Sequence, residues 1–209
     1  CVENEKNILR AVATDGHRLA QIDIENPGLK NSFSGIIVPK KTVGELRMIL
    51  ENDNDDISIS ISNNKIRFAN KSLTLTSKIV DGTFPDYKRV IPINNDKKLK
   101  VNASEFSKAV DRVSTVSSER SRAVKLKLSS GSLQLSVNSP ENGKAEDEIL
   151  VNYDQDNLEI GFNARYLQEL TSQVDGKTVE FSFKSSGDPA LMRDIDDEGA
   201  IYVVMPMRV

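Results

Sequence analysis

Tryptophan is absent from the sequence, and aromatic residues make up only 5% of it. Any core must therefore be packed mainly by aliphatic side chains. The single cysteine, Cys1, excludes an internal disulfide and fits a reducing, cytoplasmic compartment. One histidine, His17, and one cysteine are too few for a zinc centre built from one chain, so no metal site is expected. No apolar run approaches the roughly 20 residues that span a bilayer, and no signal-peptide pattern is read. A glycine-rich phosphate loop is missing too, which argues against nucleotide chemistry, and no cofactor is expected. Nor is positive charge in excess. The 28 Lys and Arg against 31 Asp and Glu give a formal charge of -3, whereas a compact DNA-binding domain is usually basic.

What is present is a globular balance. With 209 residues, 38% hydrophobic and 28% charged, the chain has material for one large domain or two ordinary ones. It opens on Cys1 without an initiator Met and runs at once into the strand-like Asn7-Ile8-Leu9-Arg10-Ala11-Val12, so it is expected to be the later part of a longer protein. The sequons Asn70-Lys71-Ser72 and Asn102-Ala103-Ser104 carry no meaning in a cytosolic protein.

Two strand-like runs, Ile8 to Thr14 and His17 to Ile24, flank Asp15-Gly16, which predicts a two-residue hairpin turn with both residues tolerating positive φ. Gly35 to Val38 reads as a short buried strand ended by Pro39. Lys40 to Glu51 follows as a helix with Val43, Leu46, Ile49 and Leu50 on one face. The acidic run 52–56 lacks the Gly and closing Glu of a calcium loop and is expected to be a solvated turn. Ile57 to Ser62 alternates with period two, as a half-buried strand should, and Ile66 to Ala69 and Leu73 to Val80 continue the sheet. Asp81 to Asp96, rich in Asp and Pro, is the candidate linker between residues 1–96 and 97–209.

In the second half, Asn102 and Glu105 form an N-cap signal ahead of a stripe through Phe106, Val110 and Val113. Four strand-like runs come next: Ala123 to Leu128, Ser132 to Val137, Ala145 to Val151 and Leu158 to Phe162. Asn163 caps a helix with Tyr166, Leu167, Leu170 and Val174 on its inner face. Val179 to Phe183, Ala190 to Arg193 and Ala200 to Met205 are the last strands. One helix with about four strands thus recurs near residues 40, 102 and 163. The fold class is α+β with antiparallel sheets backing pairs of helices, about one and a half such domains.

Asp15 and His17 offer half of a nucleophile-activating arrangement, the basis of a small-hydrolase reading. No local motif marks a nucleophile, and the alternative is a turn Asp with a His bonded to backbone or solvent. Lys40 and Lys41 at a helix N-terminus oppose the macrodipole, which an external anion would relieve. Arg112, Arg120 and Arg122, with Lys125 and Lys127, form a looser basic group interspersed with Asp111 and Glu119. The chain ends on Val203-Val204-Met205-Pro206-Met207-Arg208-Val209, an apolar hook that must pack against something. Its two flexible Met side chains suit either a core gap or a surface accommodating several ligands.

That tail, read with Ala13-Thr14-Asp15-Gly16-His17-Arg18-Leu19-Ala20 and Phe84-Pro85-Asp86-Tyr87-Lys88-Arg89-Val90, resembles the bacterial sliding clamp, DNA polymerase III subunit beta, along essentially the whole chain. The resemblance implies a DNA-clamp fold and a non-catalytic processivity role. Two full-length subunits would form a ring around duplex DNA, holding it topologically without base readout. An acidic exterior with a mildly positive lining then accommodates the negative total charge. Residues 1–96 would be the later part of the middle domain and 97–209 the complete last domain.

Lys40 and Lys41 match DNA-facing positions of that family. Its peptide pocket between two domains maps onto Val12, Thr14, Gly16, His17, Arg18 and Leu19, then Pro85, Arg89 and Val90, then Asn163 and Tyr166. Val203, Val204, Met205, Pro206, Met207 and Arg208 complete it. Partners implied are the replicative polymerase, clamp loader, translesion polymerases, ligase and mismatch-repair proteins, each docking a short hydrophobic motif. Burying about 300 Å² of apolar peptide is worth roughly 7 kcal/mol gross at about 25 cal/mol per Å², and ordering the peptide cancels much of it, so micromolar binding is expected. A peptide-binding adaptor without a DNA role is the other non-enzymatic reading.

The dimer edge maps onto Thr115 and Val116, with Glu141, Glu146, Asp147 and Glu148 as an acidic rim. The chain departs from the family in three respects. On that resemblance the first domain and the start of the middle one would be absent from the 209 residues. Val209 replaces a usual Leu, and Thr115 and Val116 are smaller than the usual bulky pair.

Overall fold

The computed structural model describes residues 1–5, 7–25, 33–50, 56–118 and 122–209. The chain divides into two compact units, Cys1–Val12 with Asp23–Asp86, and Ala13–Ile22 with Tyr87–Val209.

The elements of the first stretch are β1 (Val2–Glu5), β2 (Ile8–Thr14), β3 (Arg18–Glu25), β4 (Phe33–Ile36), α1 (Lys40–Leu50), β5 (Ser58–Ile61), β6 (Lys65–Ala69) and β7 (Thr74–Lys78). In the first unit β1 lies between β4 and β2, antiparallel to both, and β5-β6-β7 form an antiparallel meander. Its core is small. Ile36, Ile66 and Phe68 are buried, with Val38, Leu46, Ile57 and Leu75 packed around them.

Two expectations fail in this unit. The inward face of α1 runs through buried Thr42 and half-buried Leu46 and Ile49, whereas Val43 is 52% and Leu50 is 42% exposed. Leu46 and Ile49 face inward as expected, but Thr42 rather than Val43 and Leu50 completes the stripe, a choice that hydropathy alone does not make. Thr42 escapes a hydropathy reading because its hydroxyl is satisfied by Ser77 Oγ at 2.7 Å. Likewise β5 is a strand, but its Ser and Ile side chains are all exposed rather than alternating. It is an edge strand paired with β6, and Ile59 and Ile61 are 37% and 36% exposed. Most of the acidic run, residues 52–55, lies outside the described residues, as does residue 51, the expected helix end.

The second unit contains β8 (Lys97–Asn102), α2 (Ala103–Ser114), β9 (Ala123–Ser129), β10 (Ser132–Ser139), β11 (Gly143–Leu150), β12 (Leu158–Asn163), α3 (Ala164–Thr171), β13 (Thr178–Phe183), β14 (Ala190–Asp194) and β15 (Asp197–Val204). One sheet runs β11-β10-β9-β12. The other joins β8, β13, β14, β15 and the start of β3, and all pairings are antiparallel. Helices α2 and α3 pack on each other, α2 also on β8 to β11 and α3 on β12 and β15.

Asn102 caps α2 as its position predicts, its Oδ1 accepting the Glu105 N–H at 2.9 Å. The stripe Phe106, Val110 and Val113 is buried to 1% exposure or less. Phe106 meets Phe181 at 5.2 Å between ring centroids, and Phe181 stacks on Phe183 at 5.9 Å. Phe106, Phe181 and Phe183 thus form an aromatic group where α2 meets β13. Val174 packs on this core from beyond the end of α3 rather than from its inner face.

Candidate functional site: the hairpin tip, the third helix and the C-terminal tail

The tip between β2 and β3 is a three-residue connection, Asp15-Gly16-His17, rather than the two-residue turn expected. Of Asp15 and Gly16 only Gly16 takes a positive φ, 86°. Asp15 acts through its side chain instead. Its Oδ1 accepts the N–H groups of His17 and Arg18, both at 3.0 Å. Its Oδ2 accepts Arg18 Nε at 3.1 Å. Thr14 closes the loop by donating its hydroxyl to the Arg18 carbonyl at 2.8 Å and accepting the Gly16 N–H. Partial burial pushes the Asp15 carboxyl up, but those N–H donors and the Arg18 guanidinium outweigh it and hold the group below its usual range. The carboxylate is engaged by backbone and arginine, so it is not positioned as the orienting partner of His17 that a hydrolase dyad requires.

The third helix supplies the other wall. Asn163 caps it, Oδ1 accepting the Arg165 N–H at 3.0 Å, which fixes the start of the helix and the placement of Tyr166. The His17 ring stacks on Tyr166 at 6.3 Å between centroids, with planes 24° apart. The Arg18 guanidinium lies over the same tyrosine, 4.5 Å from the ring centroid. Its Nη1 is 2.5 Å from Glu169 Oε2, and Glu169 Oε1 accepts Arg165 Nε at 2.6 Å. Bonds from Arg165 and then Arg18 lower the Glu169 pKa. The sequence reading missed Glu169. Its signal was the Arg165-to-Glu169 spacing of four on a capped helix, which puts both on one face.

The tail then joins the hairpin. Val203 pairs with Leu19 and Val204 with Arg18 in the β15–β3 register. The strand stops at Val204 rather than Met205. The Met205 N–H donates to the His17 carbonyl at 2.9 Å, and the Met207 N–H to the Gly161 carbonyl at 2.9 Å. So the apolar hook packs on β12. Gly161 permits it, since a Cβ there would stand 2.5 Å from the Met207 carbonyl oxygen and 2.5 Å from Val209 Cγ1. Gly161 was also missed, although an isolated Gly within a strand signals close approach of another backbone.

The site residues divide by burial. Leu19, Val203 and Val204 are buried at 2%, 0% and 0% exposure, so they hold the wall from behind and offer no surface of their own. Met205, Pro206 and Met207 are half-buried, and Thr14, Gly16, His17 and Arg208 are exposed. Arg89 and Val90, at the end of a 3-10 turn spanning Tyr87–Arg89, are exposed in the second unit. Val12, buried, and Pro85, exposed, belong to the first unit.

Lys40 and Lys41 are the exposed first residues of α1, with no acidic residue in that turn. Thr115 follows α2 and donates its hydroxyl to the Arg112 carbonyl, while half-buried Val116 packs on the core. The acidic rim is partly neutralised within the chain. Asp147 pairs with Arg112 at 2.6 Å, Glu146 pairs with Lys144 at 2.6 Å, and Glu148 accepts the Ser132 hydroxyl; Glu141 is exposed. In the looser basic group, Lys125 meets Glu159 at 3.2 Å, and Arg120 and Glu119 lie outside the described residues.

Two family models match in succession: the central domain of the DNA polymerase III beta subunit over residues 1–86 and its C-terminal domain over 88–208. The chain belongs to the DNA polymerase III beta-subunit family. Among curated relatives, the beta sliding clamp of Caulobacter vibrioides is 45% identical over 207 residues, covering 99% of this chain and 56% of that protein. The Pseudomonas aeruginosa clamp is 38% identical, covering 96% of this chain and 55% of its own length. The chain therefore spans about 56% of the length of the clamp it matches in Caulobacter. Among solved structures, a Bartonella birtlesii sliding clamp bound to griselimycin superposes with a TM-score of 0.95 at 48% identity, covering 100% of this chain and 57% of that one. A Pseudomonas aeruginosa clamp gives 0.96 at 38% identity, with the same two coverages. The α+β clamp fold of this family is the fold of the chain, and no helix among the described residues is long and apolar enough to cross a membrane.

Proposed function

We propose that this chain supplies the central and C-terminal portions of a sliding clamp that makes the replicative polymerase processive, with no catalytic step of its own. The observation that carries this reading is the joined hairpin, helix and tail. His17 stacks on Tyr166 and accepts the Met205 N–H, leaving Met205, Pro206 and Met207 half-buried beside them. An apolar, Met-bearing surface edged by Arg18 and Arg208 suits short hydrophobic motifs presented in turn by polymerases, clamp loader, ligase and mismatch-repair proteins. We assign Thr14, Gly16, His17, Arg18, Tyr166, Met205, Pro206, Met207 and Arg208 to its surface. Asn163, Leu19, Val203 and Val204 support it. Arg89 and Val90 keep their assignment from the family resemblance.

The domains proposed are 1–96, with the linker at 81–96, and 97–209; a cytoplasmic location fits the lone cysteine. Lys40 and Lys41 are proposed to face duplex DNA, which two complete subunits would encircle. Thr115, Val116 and the acidic residues on and near β11 would form the ring joint. Griselimycin is the probe, because the Bartonella relative is described bound to it. Titration by calorimetry is expected to give saturable binding to this chain that is lost when Met205–Val209 is removed. Binding unchanged by the truncation would move the site elsewhere. No binding by either form would overturn the pocket.

A further inference from the structure

Arg18 is held from three directions at once. Asp15 Oδ2 takes its Nε at 3.1 Å, Glu169 Oε2 takes its Nη1 at 2.5 Å, and the Tyr166 ring lies under its carbon at 4.5 Å. The guanidinium therefore covers a face of the largest apolar side chain in the proposed surface. An apolar ligand reaches that face only after the guanidinium moves off it. Asp15 and Arg18 sit on the same tip and move together, so Asp15 cannot fix the arginine to the helix. Glu169 can, because it projects from α3, and Arg165, four residues before it on that helix, braces it at 2.6 Å.

We propose that Glu169 is a positioning residue that latches Arg18 over Tyr166, so that the surface is part-closed when empty and ligand binding begins with release of this ion pair. The proposal rests on the functional reading above. Glu169 is 39% exposed and Arg18 is 26% exposed, so water and salt reach the pair, and the latch can open without disturbing the core. Opening also costs the stacked contact with Tyr166, which is why the closed arrangement is the resting one.

Stopped-flow binding of griselimycin, followed by tyrosine fluorescence, tests the latch on the 209-residue chain. Glu169→Gln is expected to raise the association rate about five-fold with little change in the dissociation rate. Raising salt from about 50 to 500 mM should speed association to the parent chain, by screening the pair, and leave the variant flat. Glu169→Asp, which keeps the charge on a shorter arm, should restore the salt dependence in part. An association rate that is unchanged or slower in Glu169→Gln, or parent kinetics indifferent to salt, would overturn the latch. Absence of any binding to the parent chain would instead overturn the pocket itself.

Discussion

In the second unit α2 lays Phe106, Val110 and Val113 against two sheets, and each is at most 1% exposed. In the first unit α1 carries a comparable apolar set, yet Val43, Met48 and Leu50 are 52%, 65% and 42% exposed. The two helices differ less in pattern than in what lies beneath them. α2 meets four strands and a second helix, while α1 meets a core whose buried members are Ile36, Ile66 and Phe68. A hydrophobic stripe is a request for burial, and only packing partners grant it. The second unit is expected to be the stable one, and the first to open at lower cost.

The sharpest break of this comparison is in the aromatic cluster. Phe181→Ala removes the ring between Phe106 and Phe183 and should cost about 3–5 kcal/mol, the usual range for a buried Phe. Val43→Ala on α1 should fall within about 0.5 kcal/mol, as exposed substitutions do. Urea unfolding followed by hydrogen exchange checks both. Amides of β9 and β10 should outlast those of β5 and β6, and Phe181→Ala should erase that difference. Equal protection in the parent chain would mean the smaller core is supported by something other than its own apolar contacts.

The same contrast explains what could be read from the sequence. Asn102 and Asn163 were legible as caps because capping is local: one side chain bonds an N–H two or three residues on. The strands of the second unit were legible because one face of their alternating pattern is buried, as in β8, β9 and β10. Thr42 was not, since its burial depends on Ser77, far along the chain. The hairpin was recognised from Asp15-Gly16, but the turn type was misread because Asp15 works by accepting N–H groups rather than by adopting positive φ. Motif likeness grouped His17, Tyr166 and the tail, which the fold brings together. It could not say that Val203 and Val204 face inward, nor that Gly161 and Glu169 matter, because those roles appear only when distant backbone and charge meet.

A smaller break targets the tail alone. Gly161→Ala leaves β12 able to pair with β9, but its methyl group would collide with the Met207 carbonyl oxygen and Val209. The hook must lift, losing the Met207-to-Gly161 bond. We expect a stability loss of about 1 kcal/mol, typical of one hydrogen bond with some packing, with carboxypeptidase trimming the tail several-fold faster. Griselimycin affinity should fall much further than stability does. Equal trimming of variant and parent would show that the hook is held by its apolar contacts and not by this bond.

The last break concerns the acid sensitivity of Asp15. Its carboxyl is held below the usual range, so its contribution is fully present above the unfolded value of about 3.9 and disappears as pH falls through the folded value. Arg18 stays protonated throughout, so the change belongs to the carboxylate. Its side chain is 45% exposed, and the pairing with Arg18 is screened by water accordingly, which keeps that part of the effect within about 1 kcal/mol. Glu169 is also lowered and titrates in the same acidic window, so the two must be separated. In a Glu169→Gln background, lowering pH from about 6 to 3 should loosen the tip, read as loss of the His17–Tyr166 ring-current shift by NMR. Adding Asp15→Asn, which keeps an oxygen to accept the His17 and Arg18 N–H groups but no charge, should flatten that profile. A profile that still falls with both carboxylates gone would assign the acid sensitivity to a group other than Asp15 and Glu169.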